Sequence, residues 1–313
     1  MDFELGEDQR AVVEAVAGLL ARHAGSERAI ALAAGAESDA ALERALDEAG
    51  FLDLFAEAGS LEAALLVESV ARAAGLAPVA ARALVAPALL GDRRLDGPVA
   101  LAAVGPDAEP APVRYAAHAR YALLLAGGEA KLATLGSGAV EPVRSSFGYP
   151  FGRIGGDAIA GAETLGPGSG ERLRRWWRTA LAVEIAGTAA AAFDLTLVYV
   201  KQRRQFGRAI GSFQSVQHRL ARLAAGVQAT RWLALEAAHA GAPGEAAAVA
   251  ASHAAATAKQ VFDETHQFSG AMGFTREHDL HVYSMRLQAL RLELGGVDAH
   301  RRAAAAARWQ AAS

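Results

Sequence analysis

Residues 201–226 read "KQRRQFGRAIGSFQSVQHRLARLAAG", so Arg203, Arg204, Gln205, Phe206 and Gly207 stand side by side just ahead of a long amphipathic stretch. Two neighbouring guanidiniums offer planar forks of donors to a carboxylate or phosphate, and Gln205 adds a neutral hydrogen bond. Arginines also gather at helix C-termini for the macrodipole alone, so the pair by itself reads as a solvated cap more readily than as a ligand site. The chain carries 31 Lys+Arg against 34 Asp+Glu, a net charge of -3. No global positive field draws it to nucleic acid or anionic lipid, and any anion site must be local.

Two other clusters invite chemistry. His278 and His281, with Glu277, have helical i, i+3 spacing, but no third ligand follows at a convincing distance, so no metal is expected. Trp176 and Trp177 lie among Arg174, Arg175 and Arg178. The acidic balance argues against nucleic acid there, and the cluster is expected at a subunit contact, meeting solvent or acidic partners. The absence of cysteine removes disulfides, thiolate chemistry and cysteine metal sites, so redox chemistry would need a borrowed cofactor. The N-terminus is acidic where a signal peptide needs positive charge, and no apolar run reaches the roughly 18 residues of a membrane span. A cytoplasmic protein is expected, with neither membrane nor nucleic acid as partner.

The elements that must position these residues are mostly helices, as high alanine content favours. Val12, Val13, Val16, Leu19 and Leu20 recur at helical spacing behind an acidic first turn of Glu7 and Asp8. Asp39 is a good N-cap for "AALERALDEAG", and two more helices fill 61–90 around a stop at Gly75 and Pro78. From Leu95 short apolar runs, "VALAAV" and "YALLLA", alternate with prolines, and Gly127-Gly128 before "AKLATL" reads as a hairpin turn. The glycine-rich "GRIGGDAIAGAETLGPGSG" suits turns and a linker better than any regular element. Beyond Glu171 one long helix runs to a stop near Gly207, a second starts at the N-cap Ser212, and two more, about 244–267 and 279–309, complete a four-helix bundle. The fold class is mainly α with a small β domain: a helical domain over 1–94, a β unit over 95–169 and a bundle over 170–313.

Arg203, Phe206, Gly207, Ile210, Phe213, Gln214, Gln217, Leu220 and Ala221 reproduce the "RxxFG" turn and following "I..FQ..Q..LA" of the acyl-CoA dehydrogenase family, which the chain resembles. "DFELGEDQRAVVEAVAGLL" is similar to the family's opening helix, and "HQFSGAMGFTREHDLHVY" to its "QxxGGxGF" turn. The resemblance runs through the chain in order, strong over 180–285 and weak over the β unit. It implies an acyl-CoA dehydrogenase-like fold and FAD lying across a subunit interface, with one protomer's bundle gripping the adenosine and pyrophosphate of its neighbour's flavin. By it, Arg203, Arg204, Gln205, Phe213 and Gln214 fall on FAD contacts and Phe206 adds an apolar wall for the adenine. Gln267 to Ala271, with Gly270, form the turn that approaches the cofactor phosphates, Ala271 replacing the usual second glycine.

Catalysis is where the chain departs from the family. The glutamate base that removes an α-proton from the acyl-CoA has two family positions, and here they hold Trp177 and Leu294. Neither accepts a proton. Glu293 is one residue away, a helical rotation of about 100°, and is a poor substitute candidate. The flavin-facing "TEPxxGSD" stretch is also missing, residues 99–110 reading "VALAAVGPDAEP", and the chain is shorter than ordinary members. The resemblance therefore implies a non-catalytic partner of a full-length subunit, as in actinobacterial steroid-degrading α2β2 acyl-CoA dehydrogenases, acting on a bulky steroid side-chain CoA thioester. Two alternatives stay open: a self-sufficient homo-oligomeric dehydrogenase using Glu293, and a structural bundle without flavin.

Overall fold

The structure is a computed structural model that describes residues 4–105 and 111–309. Helix α1 (Glu7–His23) carries its acids in the first turn and Arg22 and His23 in the last, and Val16, Leu19 and Leu20 form its buried stripe. Helix α2 (Ser26–Ala34), which the sequence reading misses, presents only Ala29 as a fully buried residue, so it has too weak an apolar period to register. Asp39 caps α3 (Ala40–Glu48), accepting from the Leu42 amide at 2.9 Å and from Arg28 Nη2 at 2.7 Å. A short helix α4 (Leu54–Glu57), α5 (Ser60–Arg72), a widened π turn over Ala80–Val85 and α6 (Ala86–Leu90) complete this part.

Strands β1 (Val99–Val104), β3 (Tyr121–Ala126), β4 (Glu129–Thr134) and β7 (Glu163–Thr164) form one sheet in the order β1-β3-β4-β7, with β1 and β3 parallel. The hairpin lies where Gly127-Gly128 signals it, with Ala126 opposite Glu129. A second sheet, in the order β2-β6-β5, holds β2 (Val113–Arg114), β5 (Val140–Val143) and β6 (Phe151–Ile154). The glycine-rich run is thus no linker, since it carries β6, α7 (Gly156–Ala160) and β7. Its Gly152 is required by close strand approach, because a Cβ there would lie 2.4 Å from Val140 Cγ1. Residues 106–110 of the "VALAAVGPDAEP" stretch lie outside the described residues.

Helix α8 (Ser169–Gln202) is buried on almost every side from Leu173 to Ala192 and forms the axis on which the other layers pack. By length and composition it is apolar enough to cross a membrane, contrary to the expectation above, and 67% of its most apolar window is buried inside the protein. Helices α9 (Gln214–His239), α10 (Gly244–Ser269), α11 (Leu280–Leu290) and α12 (Gly296–Trp309) complete the bundle. Three boundaries differ from expectation. The long helix stops at Gln202, five residues before Gly207, because a two-stranded hairpin intervenes. Phe213, not Ser212, holds the N-cap of α9, the Ser212 hydroxyl donating instead to the Ala209 carbonyl at 2.7 Å. The stretch 279–309 is two helices, broken where Leu294, Gly295 and Gly296 take positive φ of 52°, 86° and 70°.

Candidate functional site

The basic residues Arg203, Arg204 and Arg208 lie at and on a hairpin. Arg203 caps α8, its amide bonding the Tyr199 carbonyl at 2.8 Å, and β8 (Arg204–Gln205) pairs with β9 (Arg208–Ala209). The reversal is two residues long, Phe206 and Gly207, both left-handed at φ 52° and 79°. A turn with two positive φ values normally takes Asn-Gly, so a phenylalanine in its first place is strained. That phenylalanine is 90% exposed, its ring standing edge-on to Phe213 at 6.2 Å. The Arg208 guanidinium covers the Phe213 ring at 4.0 Å. Among the described residues none of Arg203, Arg204 and Arg208 is ion-paired with a carboxylate; Arg204 reaches only the Gly207 carbonyl, at 3.4 Å. Three cations within six residues repel one another until an anion neutralises them.

The second predicted patch ends α10. Gln267, Gly270 and Ala271 are exposed, and Gly270 takes φ 57° with nothing within 4 Å of where a Cβ would lie. Beneath them His266 is buried between Phe262, at 4.4 Å, and Phe274, at 5.0 Å, and burial lowers its pKa. A shared core cluster links the elements that carry the two patches. Val200, Leu220 and Phe268 make a small core cluster under them, with Ile210 of the hairpin side and Val216 of α9 packed against it. Gln214 is exposed in the first turn of α9, beside the hairpin. His278 turns an edge to Tyr199 at 5.7 Å, and the His281 Nδ1 bonds the His278 carbonyl at 2.9 Å.

The two family base positions lead to an interior site of a different kind. Trp177 is buried, not at a subunit contact as expected, and its Nε1 donates to Glu293 Oε2 at 2.7 Å. Trp176 is buried too, edge-on to Phe55 at 5.3 Å. Glu293 faces this interior because the helix breaks at Leu294, so the rotation expected for a continuous helix does not apply. Its other oxygen accepts from Arg114 Nε at 2.9 Å. The remaining Arg114 donors, Nη1 and Nη2, take the two oxygens of Glu184 at 2.7 Å each. Burial opposes the Arg114 charge, and the two carboxylates more than offset it, leaving its pKa raised. Arg114 also lies 4.8 Å over the ring of Tyr149, whose pKa burial pushes up to about 12. The space left between Arg114, Glu184, Glu293 and Pro78 is about 20 Å³, room for a water and not for an acyl chain. Sequence reasoning missed Arg114 and Glu184. A lone acid in the apolar run "ALAVEIAG" is a signal for Glu184, whereas Arg114, in a proline-rich stretch, gives none.

Residues 174–309 match the model of the acyl-CoA dehydrogenase C-terminal domain. Acyl-CoA dehydrogenase FadE34 of Mycobacterium tuberculosis is 37% identical over 164 residues, covering 50% of this chain and 23% of the relative. Acyl-CoA dehydrogenase IpdE2 of the same organism is 44% identical over 108 residues, 34% of this chain and 33% of the relative. The chain therefore spans a third or less of the length of these two proteins. Among solved structures, a Tcur3481-Tcur3483 steroid ACAD superimposes with a TM-score of 0.85 at 24% identity over 99% of both chains. The ChsE4-ChsE5 complex from Mycobacterium tuberculosis gives 0.81 at 22% identity, over 96% of this chain and 97% of that one. These superpositions identify the fold of the whole chain.

Proposed function

We propose, because residues 174–309 match the model of the acyl-CoA dehydrogenase C-terminal domain, that the chain is the non-catalytic partner subunit of a heteromeric FAD-dependent acyl-CoA dehydrogenase. The observation that carries this reading is the Arg114 cluster: Glu293, beside the second family base position, has both oxygens engaged, Glu184 gives both of its own to Arg114, and about 20 Å³ remains between them. A base must be basic and within reach of the substrate proton, whereas pairing with Arg114 favours the ionised carboxylate, and an acyl pocket needs an order of magnitude more space.

The residues present fit one half of FAD. Among the described residues Arg203, Arg204 and Arg208 lack carboxylate partners, and Phe206 is held exposed at a strained backbone position, a combination suited to a pyrophosphate and an adenine. Gly270 leaves room for backbone to approach phosphate. The interior fits the ring half poorly, since an ion-paired arginine fills it. When bound, FAD supplies the hydride acceptor for forming a Cα–Cβ double bond in an acyl-CoA. In this reading the arginines and Gln205 bind and orient its nucleotide end, Phe206 and Phe213 exclude water from the adenine, and the partner subunit supplies the base and the ring site.

The names of similar structures, a steroid ACAD and a two-component complex, support a heteromeric assembly with a steroid-type substrate; we further take it to be an α2β2 cytoplasmic complex acting on a steroid side-chain CoA thioester. The test is co-expression with a full-length dehydrogenase subunit, followed by native mass and flavin analysis. A mixed complex holding FAD is expected. A chain that is yellow alone and oxidises an acyl-CoA would show instead that Glu293 serves as base.

A further inference from the structure

The basic hairpin has two faces, and they do not carry the same arginines. Gln205 stands opposite Arg208, and Arg204 opposite Ala209. Residues directly opposite on paired strands share a face, and successive residues alternate. Gln205 and Arg208 therefore project to one side and Arg204 to the other. Arg203 continues the first side, since its backbone is extended at φ -67° and ψ 121° and its carbonyl accepts from the Ile210 amide at 2.8 Å. Resting on the partner-subunit reading above, we propose that Arg208, and not Arg204, is the second guanidinium that joins Arg203 on the pyrophosphate of FAD.

The surroundings of the two side chains separate them in the same way. The Arg208 guanidinium lies 4.0 Å over the Phe213 ring, and Phe213 leads directly into Gln214, exposed in the first turn of α9. Ile210, opposite Arg203, packs with Val216 of α9 on the cluster that contains Phe268 of α10, the residue after Gln267. The face of Arg203, Gln205 and Arg208 is thus the one continuous with α9 and the end of α10, which carry Gln214 and Gln267. Arg204 reaches only within its own turn, to the Gly207 carbonyl at 3.4 Å. Both arginines are exposed, so what distinguishes them is direction. A guanidinium already held against a ring is a pre-organised fork, and it loses less freedom on meeting an oxyanion than a free side chain does. Two such cations on one face also match the two negative charges of a pyrophosphate.

Equilibrium dialysis of FAD against the co-expressed complex, with each arginine changed in turn to methionine, tests this. Arg208→Met keeps an apolar cover on Phe213 but removes the donors, so FAD should bind about tenfold or more weakly. Arg204→Met removes the same charge from the opposite face and should weaken FAD by no more than about threefold, an effect that added salt suppresses. Both positions are exposed, so the two variants should melt at the same temperature as the parent when the chain is purified alone. An Arg204→Met complex that loses as much FAD affinity as Arg208→Met, or an Arg208→Met complex that holds FAD like the parent, would overturn the assignment and leave the partner-subunit reading standing. A parent complex without FAD would overturn both.

Discussion

Phe206 shows how much a single position can be asked to do. Its left-handed backbone at φ 52° is unfavourable for a phenylalanine, and the ring it displays is almost wholly exposed. Phe206→Asn should therefore stabilise the chain by about 0.5–1 kcal/mol while lowering flavin retention in the complex; thermal melts and flavin absorbance read the two effects separately. Arg203→Ala should weaken FAD by roughly 1.5–3 kcal/mol, or about 10- to 150-fold, in equilibrium dialysis of the assembled complex. His300 supplies a pH test. It is fully buried, and burial with the nearby Arg178 charge moves its pKa from 6.5 to about 4. The unfolded chain thus takes up a proton below 6.5 that the folded chain refuses until about 4, so stability should fall as pH drops through that window. His300→Gln should flatten the melting temperature between those two pH values.

At the scale of elements, close backbone approach decides which packing survives. A Cβ on Gly187 of α8 would lie 2.3 Å from the Glu68 carbonyl of α5, so Gly187→Ala should force the two helices apart and cost about 1–3 kcal/mol in denaturant unfolding. The course of α8, the length of α10, the β3–β4 hairpin and the cap at Asp39 are legible in the sequence because periodicity, turn dipeptides and capping are local signals. The basic hairpin and the turn at 267–271 are legible for a similar reason, since the residues of each are contiguous and form compact motifs. The Arg114 cluster is not. Its bonds join residues 70 and 179 positions apart, and the Glu293 contact depends on a helix break at Leu294 that an apparently continuous helical pattern conceals. The glycine-rich run misleads in the opposite direction, because its glycines serve tight strand packing where composition suggests flexibility.

At the scale of the molecule, the chain keeps an outward basic surface and closes an inward site. Arg114 holds the closure by pairing with a carboxylate from α8 and another from the turn before α12. Arg114→Ala leaves both acids buried without their partner and should cost about 3–5 kcal/mol, seen as a fall in the unfolding midpoint. In the proposed function, such a molecule needs a second polypeptide to make its surface useful. The most direct test of that claim is the number of FAD molecules per pair of subunits in the co-expressed complex, from native mass and flavin absorbance. One flavin per pair, with this chain colourless when purified alone, is the predicted result. Two flavins per pair, or a chain that binds FAD without its partner, would contradict it.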